Sequence, residues 1–277
     1  MKNWNMILTT ALLCSCAVSD PNRTIESLNI SAPRLVKLPG ASFTMGSDHD
    51  TPAEKPEHAV TLSEFWMSST EITVGQFGEF VRATGYITTA EKDSGGWIFD
   101  TTISNMAFKK DATWKHPYME QNSNHPVVLV TWFDAQAYCE WLSKTTGLAV
   151  SLPTEAQWEY ACKAGSKDGL NIKDIAWIQD STQLFTHEAA AKKPNIFGIY
   201  DMLGNVWEWT SDWYSDYTAD HATNPHQTAD LGRGKIARGG SWNFPAEFAR
   251  PTFRQPGHGP KARAQDLGFR VVVQMGQ

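Results

Sequence analysis

Three strings rich in glycine and aromatic rings constrain this chain more than anything else in it: Gly204-Asn205-Val206-Trp207-Glu208-Trp209, Arg238-Gly239-Gly240-Ser241-Trp242 and Leu267-Gly268-Phe269-Arg270. Glycine beside an indole or a guanidinium lets backbone approach backbone, or take a positive φ, while a large side chain packs over the gap. Neither an alternating strand nor a 3.6-residue helix needs that combination. With 12 Trp and 20 Gly in 277 residues, irregular backbone packed by large rings is expected well beyond these strings. The 41% hydrophobic content is enough for one large core, and one domain is expected. A net charge of −6 argues against a nucleic-acid partner, which needs a basic patch to displace counterions.

The first 18 residues read as an export signal. Lys2 supplies positive charge, Met6 to Leu13 form a short apolar run, and Leu13-Cys14-Ser15-Cys16 has the form of a lipobox, which would make Cys16 a lipid-anchored first mature residue. An ordinary cleaved signal peptide is the other reading. The run is too short to span a bilayer. Residues 19–34 are polar and aperiodic, as a linker would be, and a folded body is expected over 35–275. Leu35 to Met45, centred on Pro39-Gly40, reads as a hairpin, and Ala59 to Trp66 as a further strand.

Threonine followed three residues later by a polar acceptor opens each of three amphipathic helices, because the hydroxyl and the acceptor can bond reciprocally to the first turn. Thr73 with Gln76 opens Val74 to Thr84, Thr131 with Asp134 opens a helix closed by Gly147, and Thr154 with Gln157 opens a third stopped at Gly165. Cys139 and Cys162 fall on the inward faces of the second and third, where free cysteine behaves as a small hydrophobe, although an exported protein could also pair them. From Gly165 to Leu231 there is little periodicity, and a loop that long marks the place to seek a site. Lys235 to Arg238 and Phe269 to Val273 read as strands.

Within the irregular region, Asp201 and Glu208 lie seven residues apart across a turn-forming Gly-Asn. With the carbonyls of Gly204 and Val206 they could form the oxygen cage that Ca²⁺ prefers. Alternatively, Asp201 caps a turn, Glu208 pairs with an arginine, and Trp207 and Trp209 fill the core. Arg238 could clamp a carboxylate or pin a strand end. Arg250, Arg254, Arg263 and Arg270 recur around Asp266 as an ion-pair network or a cationic pocket. Motifs for catalytic zinc, phosphate loops and nucleophile elbows are missing from the sequence.

These strings, together with Gly40-Ala41-Ser42-Phe43-Thr44-Met45-Gly46, Glu71 to Phe77, His125-Pro126-Val127 through Trp132 and Leu152-Pro153-Thr154-Glu155-Ala156-Gln157-Trp158-Glu159-Tyr160, resemble the formylglycine-generating, or sulfatase-modifying-factor, family. The resemblance spans about Leu35 to Val273. It implies an α+β, C-type-lectin-like fold with little regular secondary structure, a structural Ca²⁺ held by Asp201, Gly204, Val206 and Glu208, and a peptide-binding groove bordered by Trp207, Ser241, Trp242 and Arg238. The oxidases of that family hold copper on two cysteines. No cysteine lies between Ser241 and Gln277 here, and the corresponding stretch is Asn243-Phe244-Pro245-Ala246-Glu247-Phe248-Ala249. Copper chemistry by that route is therefore not expected, since Cu(I) needs soft sulfur ligands. Glu247, His258 and Tyr214 remain as acid/base candidates without a spacing signature. The chain looks most like the exported, cysteine-lacking members similar to the pyoverdine-maturation factor, which implies oxidative maturation of a peptide-like substrate such as a siderophore precursor. The competing expectation is a non-catalytic, calcium-stabilised lipoprotein that binds or assembles with a protein partner.

Overall fold

The computed structural model describes residues 20–163, 171–179 and 184–274, so the export signal, Cys16 and Gly165 lie outside the described residues. Two four-stranded sheets carry the body. The first orders Leu35–Leu38 (β1), Phe65–Ser68 (β4), Val272–Gln274 (β13) and Ala149–Ser151 (β7), all antiparallel. The second orders Gln255–His258 (β11), Lys235–Arg238 (β10), Trp207–Trp213 (β8) and Leu267–Phe269 (β12), with β8 and β12 parallel. Ala41–Met45 (β2), His58–Leu62 (β3) and Ala222–Thr223 (β9) make a smaller sheet, and Gly96–Asp100 (β5) with Asn105–Lys109 (β6) make a separate hairpin.

The three threonine-capped helices form where the sequence places them: Val74–Thr84, Trp132–Thr146 and Glu155–Lys163. Each cap is reciprocal. The Thr73 hydroxyl accepts from Gln76 N and Gln76 Oε1 accepts from Thr73 N, and the Thr131/Asp134 and Thr154/Gln157 pairs repeat this. Each satisfies two orphan amides and contributes about 1 kcal/mol. Gly85 and Gly147 end the first two in the left-handed conformation. Phe77, Phe80, Tyr138, Cys139, Leu142, Trp158, Ala161 and Cys162 are buried on the inward faces, and both cysteines are free.

Three expectations need correction. Residues 20–34 are not a bare linker: Asp20 caps a short helix, Pro21–Ser27, whose Ile25 joins the core, and the Asn22 carboxamide pairs with both backbone groups of Leu35. Polar composition hid this, because one buried isoleucine and one asparagine suffice to dock a two-turn helix. Leu35 to Met45 is not a hairpin, since β1 pairs with β4 and β2 with β3. Pro39-Gly40 instead carries the chain between sheets, at a place where a Cβ on Gly40 would lie 3.0 Å from the Leu62 carbonyl. The irregular stretch contains β8, buried over six consecutive residues from Trp207 to Asp212. A strand covered on both faces has no alternation to read.

Candidate functional site

Alternation along β8 divides the first glycine string between two environments. Trp207 and Trp209 face one side and Glu208 the other, as successive strand residues must. Gly204 begins the turn that delivers them. Its φ is +74°, and a Cβ there would stand 2.2 Å from the Trp177 carbonyl, so only glycine permits the approach.

On the Trp207 side, the parallel pairing sets Trp207 against Leu267, and Trp207 N donates to the Asp266 carbonyl at 2.8 Å. The Gly239-Gly240 turn after β10 brings in Ser241, whose hydroxyl donates to Asp266 Oδ2 at 2.8 Å. β11 contributes His258. Trp207, Asp266, Leu267 and His258, together with Trp97 and Met106 from the β5–β6 hairpin and Asn243 and Phe244 after the second string, line a cavity of about 320 Å³. Phe244 packs edge-on to Trp207, with ring centroids 5.4 Å apart. Burial pushes the Asp266 carboxyl above the ordinary aspartate value against the opposing Ser241 hydrogen bond, and pushes the His258 imidazole below its ordinary value. Both shifts favour the neutral form, as desolvation requires. A larger cavity of about 840 Å³, lined in part by His116, His125 and His187, holds none of the substrate-binding or acid/base candidates named from the sequence, so the smaller one is the candidate site.

The expected site residues therefore separate. Trp207 and His258 stand in the cavity wall, and Ser241 reaches it through Asp266. Trp242 is buried behind it against Phe99 and Phe185. Arg238 is fully buried away from the wall, paired with Glu159 and 3.4 Å from Glu155, and donates to the carbonyls of Pro251 and Thr252. Tyr214 lies beneath the guanidiniums of Arg233 and Arg254, 4.4 and 4.6 Å from its ring centroid, and Glu247 is exposed on a 3₁₀ turn. Sequence reading passed over Trp97, Met106 and Asp266 as site residues. The only local signs were the Gly95-Gly96 pair that turns the hairpin inward and a carboxylate immediately before the third string.

On the Glu208 side, both carboxylate oxygens accept from Arg270 at 2.6 Å, and Trp158 Nε1 donates to Oε2 at 2.8 Å. This is the arginine pairing set beside calcium at the outset. Asp201 accepts from Ala190 N, while Glu71 accepts from Asn205. Asp201 Oδ1 and Glu71 Oε2 are buried with no partner. Burial raises Asp201 to about 6 and, aided by Asp201 and Glu208, raises Glu71 well above the carboxylate range. Three carboxylates thus share one guanidinium. Arg270 occupies both Glu208 oxygens, and among the described residues no three His, Cys, Asp or Glu side chains group to hold a metal, so a hard cation at the expected set would have to draw on the orphaned Asp201 oxygen and on backbone carbonyls. The other tail arginines are also paired: Arg254 with Glu155, and Arg250 with Glu54 and Asp50. Arg263 donates to the carbonyls of Gly95, Lys261 and Asp93. The ion-pair account holds for Arg250, Arg254 and Arg270, whereas Arg263 serves backbone carbonyls and Asp266 pairs with Ser241.

With this geometry in place, comparison with known proteins identifies the relatives. Residues 22–275 match the family model of the sulfatase-modifying factor enzyme 1-like domain. The formylglycine-generating enzyme of Mus musculus is 30% identical, over 91% of this chain and 78% of that protein. The inactive Cα-formylglycine-generating enzyme 2 of Bos taurus is 29% identical, over 92% and 93%. Among solved structures, PvdO from Pseudomonas aeruginosa superposes with a TM-score of 0.75 at 30% identity, over 88% of this chain and 95% of that one. The chain belongs to the sulfatase-modifying-factor family and has its formylglycine-generating-enzyme-like fold.

Proposed function

We propose that this chain is an exported formylglycine-generating-enzyme-like protein that does not work as a copper formylglycine oxidase, and that it promotes oxidative maturation of a peptide-like substrate, such as a siderophore precursor, held in the cavity between Trp207 and Asp266. One observation carries the reading. The cavity keeps its indole, its Ser241–Asp266 pair and an imidazole, yet a phenyl ring, Phe244, stands in its wall, and no cysteine follows Ser241. In place of the paired thiolates that hold Cu(I) in those oxidases, the wall carries a single thioether, Met106. What the wall offers is proton handling. Burial lowers His258 and raises Asp266, so the imidazole is a neutral base and the carboxylate a stronger base than usual. Two protons leaving a substrate could be taken there while two electrons pass to an external acceptor such as dioxygen. Likeness to PvdO supports this class of substrate.

Calcium is proposed as a structural ion at Asp201, Gly204, Val206 and Glu208, and the chain is proposed to reach the envelope through its first 18 residues, with Cys16 as the lipid attachment point. A second reading, a non-catalytic binding or assembly lipoprotein, is favoured by the positions of Tyr214 and Glu247 outside the cavity and by likeness to the inactive bovine relative. It predicts a protein partner in crosslinking and no effect of single substitutions at Glu247, His258 and Tyr214. The first reading is tested by loading the purified protein with Cu(I) and supplying a cysteine-containing sulfatase peptide. No formylglycine should form, and its formation would overturn the proposal.

A further inference from the structure

The cavity is small and unevenly furnished. Ligand pockets run from about 300 to 1,000 Å³, so a volume of about 320 Å³ admits one large side chain and not a length of peptide. Trp97, Met106, Trp207, Phe244 and Leu267 make most of its wall apolar. Trp97 stands in the wall, 48% exposed and set edge-on to the exposed Phe108 with centroids 5.7 Å apart. Two charged groups border this apolar space. Arg263 is spent on the three carbonyls named above. Asp266 stands in the cavity wall with its Oδ2 accepting from Ser241.

Resting on the reading of this cavity as a peptide-binding site, we infer that it selects a ring-bearing side chain that carries one hydrogen-bond donor, a phenol or an indole, with the ring between Trp97, Met106 and Phe244 and its O–H or N–H directed to Asp266. Aromatic faces and a thioether suit a ring by offset stacking and sulfur contact. A buried carboxylate meeting the ring's edge favours an occupant that brings a donor, because its only side-chain hydrogen bond is otherwise the one from Ser241. An acidic side chain would set like charges together, and an aliphatic one would add no donor to the one from Ser241.

The test uses the full protein and dye-labelled pentapeptides that differ only at the central residue, Tyr, Trp, Phe, Leu or Asp, titrated by fluorescence polarisation. Tyr and Trp peptides should bind about tenfold more tightly than Phe, the size of a hydrogen bond to a charged group, and Phe more tightly than Leu. Asp266→Asn should abolish the Tyr-over-Phe preference. Trp97→Ala, at an exposed position that threatens folding little, should abolish the Phe-over-Leu preference. Equal affinities for Tyr, Phe and Leu, or a Tyr preference that survives Asp266→Asn in a protein of unchanged melting temperature, would overturn the inference and leave the peptide reading standing. Failure of every peptide to bind would overturn both.

Discussion

Replacing Arg270 by methionine keeps most of the side-chain volume and removes the charge that holds the Glu208 side of β8 together. Arg270 is fully buried. It gives two 2.6 Å bonds to Glu208 and donates to the carbonyls of Ser68 at 3.2 Å and Tyr200 at 3.0 Å. After the change, Glu208 keeps only Trp158 Nε1, with Glu71 and Asp201 as its acidic neighbours. Removing one partner of a buried pair costs about 3–5 kcal/mol, because the other charge is left behind. Each kcal/mol lowers the melting temperature of a domain of this size by about 2–4 °C, so a fall of about 10 °C is expected. The assay is thermal or urea unfolding with chelator present, so that a bound cation cannot take over the arginine's role. Glu208→Gln in the Arg270→Met background removes the stranded charge, so the double variant should be more stable than Arg270→Met alone by about 2 kcal/mol, on the same scale for stranded buried charge. An Arg270→Met protein within about 1 kcal/mol of the parent, or a second change that adds its cost in full, would refute the charge-balance reasoning.

Three further outcomes are expected. Asp212, whose carboxylate accepts from the backbone of Glu155 and Gln227, is pushed by burial to about 6, above the ordinary aspartate value. The folded state therefore binds its proton more tightly than the unfolded state does. Stability from this group is present below pH 4 and falls as pH rises from about 4 to about 6, and Asp212→Asn should flatten that slope in urea melts taken across the range. A stability–pH slope unchanged by Asp212→Asn would contradict the assignment. Chelation by EGTA should lower the melting temperature of the parent protein if calcium occupies the Asp201–Glu208 turn, and no shift would remove that proposal. Gly204→Ala should cost several kcal/mol, since its Cβ would meet the Trp177 carbonyl at 2.2 Å on a positive-φ residue, and a melting temperature within a few degrees of the parent would show that the turn can relax.

The parts of this fold legible in the sequence are those specified locally. A threonine with a polar acceptor three residues on fixes its helix start within one turn, and Thr73, Thr131 and Thr154 each did so. The partner of a strand is not local. Nothing within Leu35 to Met45 says that Pro39-Gly40 must cross from one sheet to another, and the run Trp207 to Asp212 carries no period because both of its faces are covered. The site shows the same division. Trp207 and Ser241 could be named from strings that resemble a known family. Asp266 gained meaning only when the parallel pairing of β8 with β12 set it beside Trp207, and Trp97 and Met106 arrive from a hairpin more than a hundred residues away. Arg238 shows the converse: its string is conspicuous, yet its guanidinium serves Glu159 and not the cavity.

The central claim is that a cavity without the cysteine pair still receives a peptide and helps to oxidise it. The direct measurement is mass spectrometry of a periplasmic peptide-siderophore precursor after incubation with the purified, copper-free protein in air, paired with a binding titration of the same peptide. Binding and loss of two hydrogens from the peptide, both abolished by substitution of Trp207, is the predicted result. Neither binding nor any change of mass would contradict it.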